Sequence, residues 1–559
     1  MNRVAAAEVR DLGAAAAEQP AVWREVRRFD PPAQAALLAA HRVLAGVADP
    51  AKLALVAVAP TQAGSPEMFQ WVRRIAAGEA VRMNPVHTLH AVDNLALSAL
   101  SLALGARGYG VSLGGAAGVE AGRALLAERL RTGPETQGIL FWADQRDAEG
   151  GGPVVGFAER YEAPPAPAAR VRRRVVVTGL GAVSALGTGV HALWSGLLAG
   201  RSGLSRVPEA AAMGLPVTSG GRVPFAGPDR DVRLGQAALA EALAGAGWRG
   251  PLSGAGFYWA CALDTFQVGE AGLVHRPASA CFQALAAPYS GPHRMLAVAC
   301  ASGTRTVGEA FQAIRRGELD CAVAGGSAVM LTPFYLIGFA ALRAVALDED
   351  APDPAASCRP FDATRAGFAL ADGAGALVLE ALEHAQARGA PILAEVLGLG
   401  TSMDAFDLSR PPEDGRGALA CLADCLADAH TEPRPTDVIN AHSTGTRIGD
   451  VAEAAAIQAL YGERAVVHGV KGALGHAMAA AGALEAVVAV QSLRHGVVPP
   501  TVGLARPDER CALDHVVGAP RPLAPGARIL SASYGMGGQN ASILLGKFGE
   551  RPSLGDRHG

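Results

Sequence analysis

The chain has almost no lysine: Lys52, Lys471 and Lys547 stand against 46 arginines in 559 residues, and the formal net charge is only −3. Charged residues make up 18% of the chain, and no stretch interleaves basic with aromatic side chains, which argues against a nucleic-acid-binding surface. Cysteine is missing before Cys261, and the eight that follow are scattered, which argues against a disulfide framework. Long apolar runs are also missing. The longest, Leu95 to Ala106, is too short to cross a bilayer. The opening segment "MNRVAAAEVRDLGAAAAEQP" carries Glu8 and Asp11 where a signal peptide needs an apolar core. These absences together describe a soluble cytoplasmic protein without a membrane span.

What is present is apolar: half of the residues are hydrophobic, and Ala and Gly dominate. So long a chain implies about two to four domains. Residues 161–172 form a Pro/Ala-rich linker that holds no regular element. Before it, residues 1–29 read as a polar leader and residues 30–160 as a small α/β domain, with "LALVAVAP" and "GILFWADQ" as strands and "EAGRALLAERL" as a helix. Beyond it, residues 173–549 alternate strands with helices, which predicts largely parallel sheets covered on both faces, and residues 550–559 form a polar tail.

The stretch "MLAVACASGTRTVGEAF" sets the apolar run Leu296–Ala299 before Val307, Ala310, Phe311 and Ile314, which fall at helical spacing. Cys300 therefore lies at a strand-to-helix turn. There the helix end favours thiolate over thiol, and two amides can cradle an oxyanion. A buried apolar role for the thiol stays open on this segment alone. In "VINAHSTGTRIGDVAEAAAI" a strand ends at His442, and Asp450 with Glu453 has the spacing of a capping box. In "VVHGVKGALGHAMAAAGALEA" a strand leads to Lys471, and His476 opens a long helix whose positive end predicts a neutral imidazole.

Other motifs read as structural. Gly179 and Gly181 fit two positions of a dinucleotide-binding fingerprint, but its third glycine falls on Ser184. Cys421 and Cys425, with His430 nearby, follow a leucine stripe and lack further soft ligands, so they read as packing rather than a metal site. His87 and His90 lack a third ligand.

"RRVVVTGLGAVSALG", "ACASGTRTVGEAF", "SRPFDATRAGFALADGAGALVLE", "NAHSTGTR", "VKGALGHAMAAAGALEA", "VVPPTVGL" and "SASYGMGGQNASILL" occur in this order. With them, residues 173–549 resemble the elongating β-ketoacyl-acyl-carrier-protein synthases, condensing enzymes of the thiolase superfamily. The resemblance implies a five-layer αβαβα sandwich of two similar halves, about 173–390 and 391–549. It implies Cys300 as nucleophile, His442 and His476 as the two active-site histidines, Lys471 as their lysine, Glu453 as a supporting residue, and Met536 in an aromatic position of the loop that completes the oxyanion hole. The chain departs from the pattern at Ser443 for a glycine, at Asp372 for a glutamate, and in a shortened segment before Cys300, which touches the acyl pocket and the dimer face.

The N-terminal region is similar to a β-ketoacyl-synthase-like family of bacterial polyene and polyketide clusters, half of a thiolase-type module. It contains no cysteine. The implied activity is a decarboxylative Claisen condensation between malonyl-carrier protein and a Cys300-bound acyl chain. The partners are then an acyl carrier protein with its acyl and malonyl thioesters, in a homodimer or a pseudo-dimer with the synthase-like domain. The substrates ride on phosphopantetheine, so no cofactor or metal is expected. The rival reading is a non-catalytic chain-length factor or scaffold, a class that usually loses the cysteine which this chain keeps.

Overall fold

In the computed structural model the described residues are 2–10, 12–19, 31–44, 47, 49, 53–58, 97–98, 100–101, 106–107, 110–113, 118–132, 137–145, 154–162, 172–225, 227, 229–248, 254–261, 264–269 and 272–549. His87, His90, most of the proposed linker and the tail at 550–559 lie outside them.

Two five-stranded sheets of matching design, joined where Ala394–Val396 pairs antiparallel with Val175–Val177, build the region from Val175 onward. In the first, the strand His293–Leu296 pairs in parallel with Gly256–Ala260, which pairs in parallel with Cys321–Ala328; Gly373–Ala381 and Val175–Ser184 then add antiparallel. In the second, Val466–His468, Val438–Asn440 and Arg528–Tyr534 are parallel neighbours, followed by antiparallel Gln539–Gly546 and Ala394–Met403. Each sheet is thus mixed, not largely parallel. Hairpin-like returns lay two antiparallel strands beside three parallel ones, a direction that apolar runs do not reveal.

Between the sheets lie the helices Ser302–Arg315 and Ala481–His495, buried on nearly every side. They cross closely because both carry glycine at the contact: a Cβ on Gly303 would come 2.6 Å from the Ala483 nitrogen. Arg230–Gly245 covers the first sheet from outside, and Arg416–Asp428 covers the second. The result is the five-layer αβαβα sandwich of the thiolase-like fold. The outer helix also accounts for the GLG motif. A Cβ on Gly179 or Gly181 would fall on the carbonyl oxygens of Ala242 and Ala238, so these glycines serve helix-on-sheet packing.

The N-terminal region is an additional smaller α/β unit. Its sheet runs Asn2–Val9, Val154–Glu162, Gln137–Gln145, Ala54–Val58, Gly110–Leu113. Two sequence boundaries shift as a result. Asn2–Val9, assigned to a polar leader, is a strand antiparallel to Val154–Glu162, and that partner strand extends through Tyr161 and Glu162, which were placed in the linker. The cause is long-range pairing: an alanine-rich segment gains ladder hydrogen bonds that its own composition does not signal.

Candidate active site

The strand His293–Leu296 runs into a 3₁₀ turn, Ala299–Ala301, and then into the helix from Ser302, which puts Cys300 at the junction. The strand begins and ends three residues earlier than the apolar run suggested. Ser302 pins the turn: its Oγ accepts the Val298 N–H at 2.9 Å and donates to the Ala299 carbonyl at 2.6 Å. Ala299 sits at φ 49, Ser443 at φ 41 and Met478 at φ 43, so non-glycine residues in the left-handed region lie next to Cys300 and His442 and two residues after His476. Such strained positions cluster where a surrounding structure must hold a side chain in one direction.

Cys300, His442 and His476 converge: the sulfur and one nitrogen from each ring all lie within 4.8 Å of one another. Their imidazoles meet edge-on at 5.3 Å between ring centres, and Phe368 packs edge-on against His476 at 5.1 Å. All three side chains line a cavity of about 620 Å³. The exposed residues Arg343, Arg410 and Arg447 line it too.

Lys471 is buried beneath the histidines at the start of the short helix Lys471–Leu474. Its Nζ donates to the His442 carbonyl at 2.6 Å, to His442 Nδ1 at 3.2 Å and to Glu485 Oε1. An ammonium has only donors, so His442 Nδ1 must accept, and the ring proton sits on Nε2. Burial, with the Lys471 charge second, holds both histidines well below their ordinary pKa, so both are neutral. His476 Nδ1 and Nε2 are buried with no hydrogen-bond partner among the described residues. A thiol and two imidazoles are also a set of soft metal donors, but the buried Lys471 cation beside His442 opposes a second cation there.

Three sequence expectations change. Burial pushes the Cys300 thiol up to about 11, over the opposing pull of the Met536 backbone N–H and of Lys471, so the resting form is thiol rather than thiolate. His476 does not open the long helix, which begins at Ala481; its neutrality comes first from burial. Asp450 and Glu453 form no capping box. Asp450 accepts the N–H of Phe361 and of Gly445, while Glu453 accepts those of His442 and Ser443 at 2.7 Å each, so both carboxyls anchor loop backbone instead. Burial raises Glu453 to about 8.

Glu485, paired with Lys471, is a residue of this site that the sequence did not single out. It lies within 1% of full burial and is also bonded by Ser533 at 3.3 Å. Its signal was available: one acid inside the otherwise apolar "GALEAVVAV". The departures from the family pattern also find partners. Ser443 Oγ donates to the Ala441 carbonyl at 3.1 Å, and Asp372 accepts the N–H of Met330 and Leu331 and pairs with Arg230. Cys421 and Cys425 are buried, with Cys421 Sγ against the Gly400 carbonyl and Ser542, as packing predicts.

A thiol, two neutral imidazoles and a loop amide thus share one cavity in a thiolase-type sandwich. The chain belongs to the β-ketoacyl synthase family. It matches the Beta-ketoacyl synthase N-terminal domain over residues 172–227 and 278–385, and the Beta-ketoacyl synthase C-terminal domain over residues 393–505. Among curated relatives, the 3-oxoacyl-[acyl-carrier-protein] synthase 2 of Coxiella burnetii is 32% identical over 424 residues, spanning 67% of this chain and 99% of the relative. That of Rhizobium meliloti is 33% identical over 432 residues, with the same coverage. Similar solved structures include a type II polyketide synthase acyl-carrier protein in complex with its ketosynthase bound to the hexaketide, at TM-score 0.61 and 28% identity, covering 67% of this chain and 100% of that one. The ishigamide ketosynthase/chain length factor matches at TM-score 0.59 and 32% identity, covering 68% and 100%.

Proposed function

We propose that the protein is a 3-oxoacyl-[acyl-carrier-protein] synthase. Cys300 attacks the thioester of an acyl carrier protein; the acyl–sulfur bond to the carrier breaks, and the Cys300 proton leaves with the phosphopantetheine thiol. Because the resting group is a thiol, its proton departs as the acyl group arrives, and a neutral imidazole nearby can relay it. The Met536 and Cys300 amides hold the tetrahedral oxyanion. Malonyl-carrier protein then binds with its thioester carbonyl at His442 Nε2–H and His476. The carboxylate–carbon bond breaks, CO₂ leaves, and the electron pair enters the carbonyl as an enolate held by the two donors. That carbon attacks the acyl-cysteine, expels Cys300 as thiolate, and yields a 3-oxoacyl chain longer by two carbons. Cys300 recovers a proton, as its high pKa favours.

The observation that carries this reading is the pair of buried ring nitrogens on His476 without a partner among the described residues, in a side chain that lines one cavity with His442 and Cys300 and brings a ring nitrogen within 4.8 Å of the sulfur. Buried polar atoms without partners are costly unless a ligand supplies one. The arginines lining that cavity suit the phosphate of a carrier-bound substrate, which itself carries the phosphopantetheine, so the chain needs no cofactor of its own.

In this reading residues 2–162 are a synthase-like partner in cis, without a nucleophile, and the chain is a pseudo-dimer. Support comes from the edge strand His293–Leu296: Leu296 pairs antiparallel with Leu113, where a second copy could otherwise add a strand. Val56, Leu125 and Leu140 share one buried cluster with Leu296, Val298 and Ala301.

The test is intact-protein mass spectrometry with acyl-carrier proteins of several chain lengths. One acyl adduct at Cys300 and none in Cys300→Ala is expected, with condensation abolished. An adduct and continued elongation in the variant would sink the reading.

A further inference from the structure

The N-terminal unit reaches the loop that carries the Met536 amide. This loop is the tight turn between the strands Arg528–Tyr534 and Gln539–Gly546, which pair up to Tyr534 and Asn540. Inside it, the Gly535 N–H donates to the Gln539 carbonyl at 2.7 Å, and the Gly538 N–H donates to the Gly535 carbonyl at 2.9 Å. Gly537 and Gly538 both lie in the left-handed region, at φ 88 and φ 81, which allows the reversal. The Met536 N–H emerges from this turn toward the Cys300 sulfur.

The side chain of Gln539 is buried at the base of the turn, and among the described residues one of its nitrogens makes two contacts. Nε2 donates to the Gly537 carbonyl at 3.0 Å, inside the turn, and to Ser98 Oγ at 2.8 Å, in the N-terminal unit. Ser98 is itself buried and helical. A second link is indirect, through the end of the strand Ala394–Met403 beside the loop. The Met403 N–H donates to the Arg107 carbonyl at 3.2 Å, and the adjacent Asp404 N–H donates to the Gly538 carbonyl at 2.8 Å. Asp404 Oδ1 accepts from Asn540 Nδ2 at 2.7 Å.

We propose that Ser98 is a positioning residue for the condensing site: it orients Gln539, and Gln539 locks the turn that aims the Met536 amide at the oxyanion. The N-terminal unit then completes the active site in cis rather than standing beside it. A flexible turn with the same sequence would present the amide over a range of directions, and an oxyanion donor acts only when it is fixed in advance. The inference rests on the proposed acyl transfer to Cys300.

The probe is the octanoyl thioester of N-acetylcysteamine, which acylates without carrier docking, used on the full chain. Ser98→Ala should slow acylation of Cys300 about tenfold, since a loosened donor costs less than a deleted one. Alkylation of Cys300 by iodoacetamide develops no oxyanion, so it should slow clearly less than acylation, through the weakened Met536 N–H contact to the sulfur alone, while loss of one buried hydrogen bond lowers the melting midpoint modestly. Gln539→Ala should slow acylation to a similar extent, and adding Ser98→Ala to it should slow it no further, because the two act through one contact. Should Ser98→Ala fail to fold, the near-isosteric Ser98→Cys, a weaker acceptor, is read in the same way. Acylation at the wild-type rate, a loss shared equally by alkylation, or additive losses in the double variant would each overturn the proposal. A wild-type protein that octanoyl thioester never acylates at Cys300 would instead overturn the reading beneath it.

Discussion

Lys471→Met tests whether one buried cation sets the chemical state of His442. Lys471 has three acceptors, the carboxylate of Glu485 and the carbonyl and Nδ1 of His442, and methionine fills similar space while supplying no donor. Glu485 then keeps Ser533 and loses its charge partner, and breaking a buried pair from one side costs about 3–5 kcal/mol. Stability should fall accordingly. Removing the second partner as well, in Lys471→Met/Glu485→Met, should return most of that loss, since apolar replacement of both ions is often close to neutral. Catalysis should not return with it. Without a donor at Nδ1 the ring proton is free to occupy either nitrogen, and decarboxylation should drop about 10- to 100-fold in both variants, within the range for a compromised oxyanion donor.

The sign of the pH effect follows from the same contact. Burial first, and Lys471 second, depress the His442 pKa, so loss of Lys471 lets it rise toward its ordinary 6.5. Burial still holds it down, so the acidic limb of the decarboxylation profile should move to higher pH than in the wild type without reaching the ordinary imidazole range. Release of CO₂ from malonyl-carrier protein as pH is lowered, beside acyl loading followed by intact mass, separates the two half-reactions. Recovery of decarboxylation together with stability in the double variant, or an unchanged profile in the single one, would refute the tautomer argument.

Two further outcomes are expected. Met536→Phe narrows an adaptable wall of the cavity, because methionine has more rotamers and less rigid bulk, so loading of long or rigid acyl chains should fall relative to short ones; identical loading profiles would remove Met536 as a gate. Glu453 holds a proton in the folded chain up to about 8, whereas the unfolded group loses it near 4.5, so its contribution to stability declines as pH rises between those values. Glu453→Gln cannot titrate, and its amide N–H would face a backbone N–H. Its deficit in melting midpoint should therefore be largest near about pH 5 and shrink toward about pH 9, and a constant deficit would refute the assignment.

The sequence by itself determined the local devices and their chemical inventory. Apolar runs followed by small residues and helical spacing mark strand–turn–helix junctions, because each element's periodicity is written within about ten residues of itself. Cys300, His442, Lys471 and His476 could be read at such junctions, and the order of the motifs led to the sandwich that the structure has. Whether Cys300 rests as a thiol could not be read there, because the helix end is a local feature whereas its burial depends on the elements packed around it. The capping-box spacing of Asp450 and Glu453 was real but its partners were not local: both carboxyls turn to backbone amides that tertiary packing delivers. The strand at Asn2–Val9 exists because Val154–Glu162 lies beside it, and Glu485 has a purpose only once Lys471 is folded against its helix. The separation of 441 residues between Ser98 and Gln539 is the extreme case. A serine in an apolar segment and a glutamine in a glycine turn carry no mark of each other, and only the closed fold, by pairing one sheet edge with another, brings the hydroxyl to the amide.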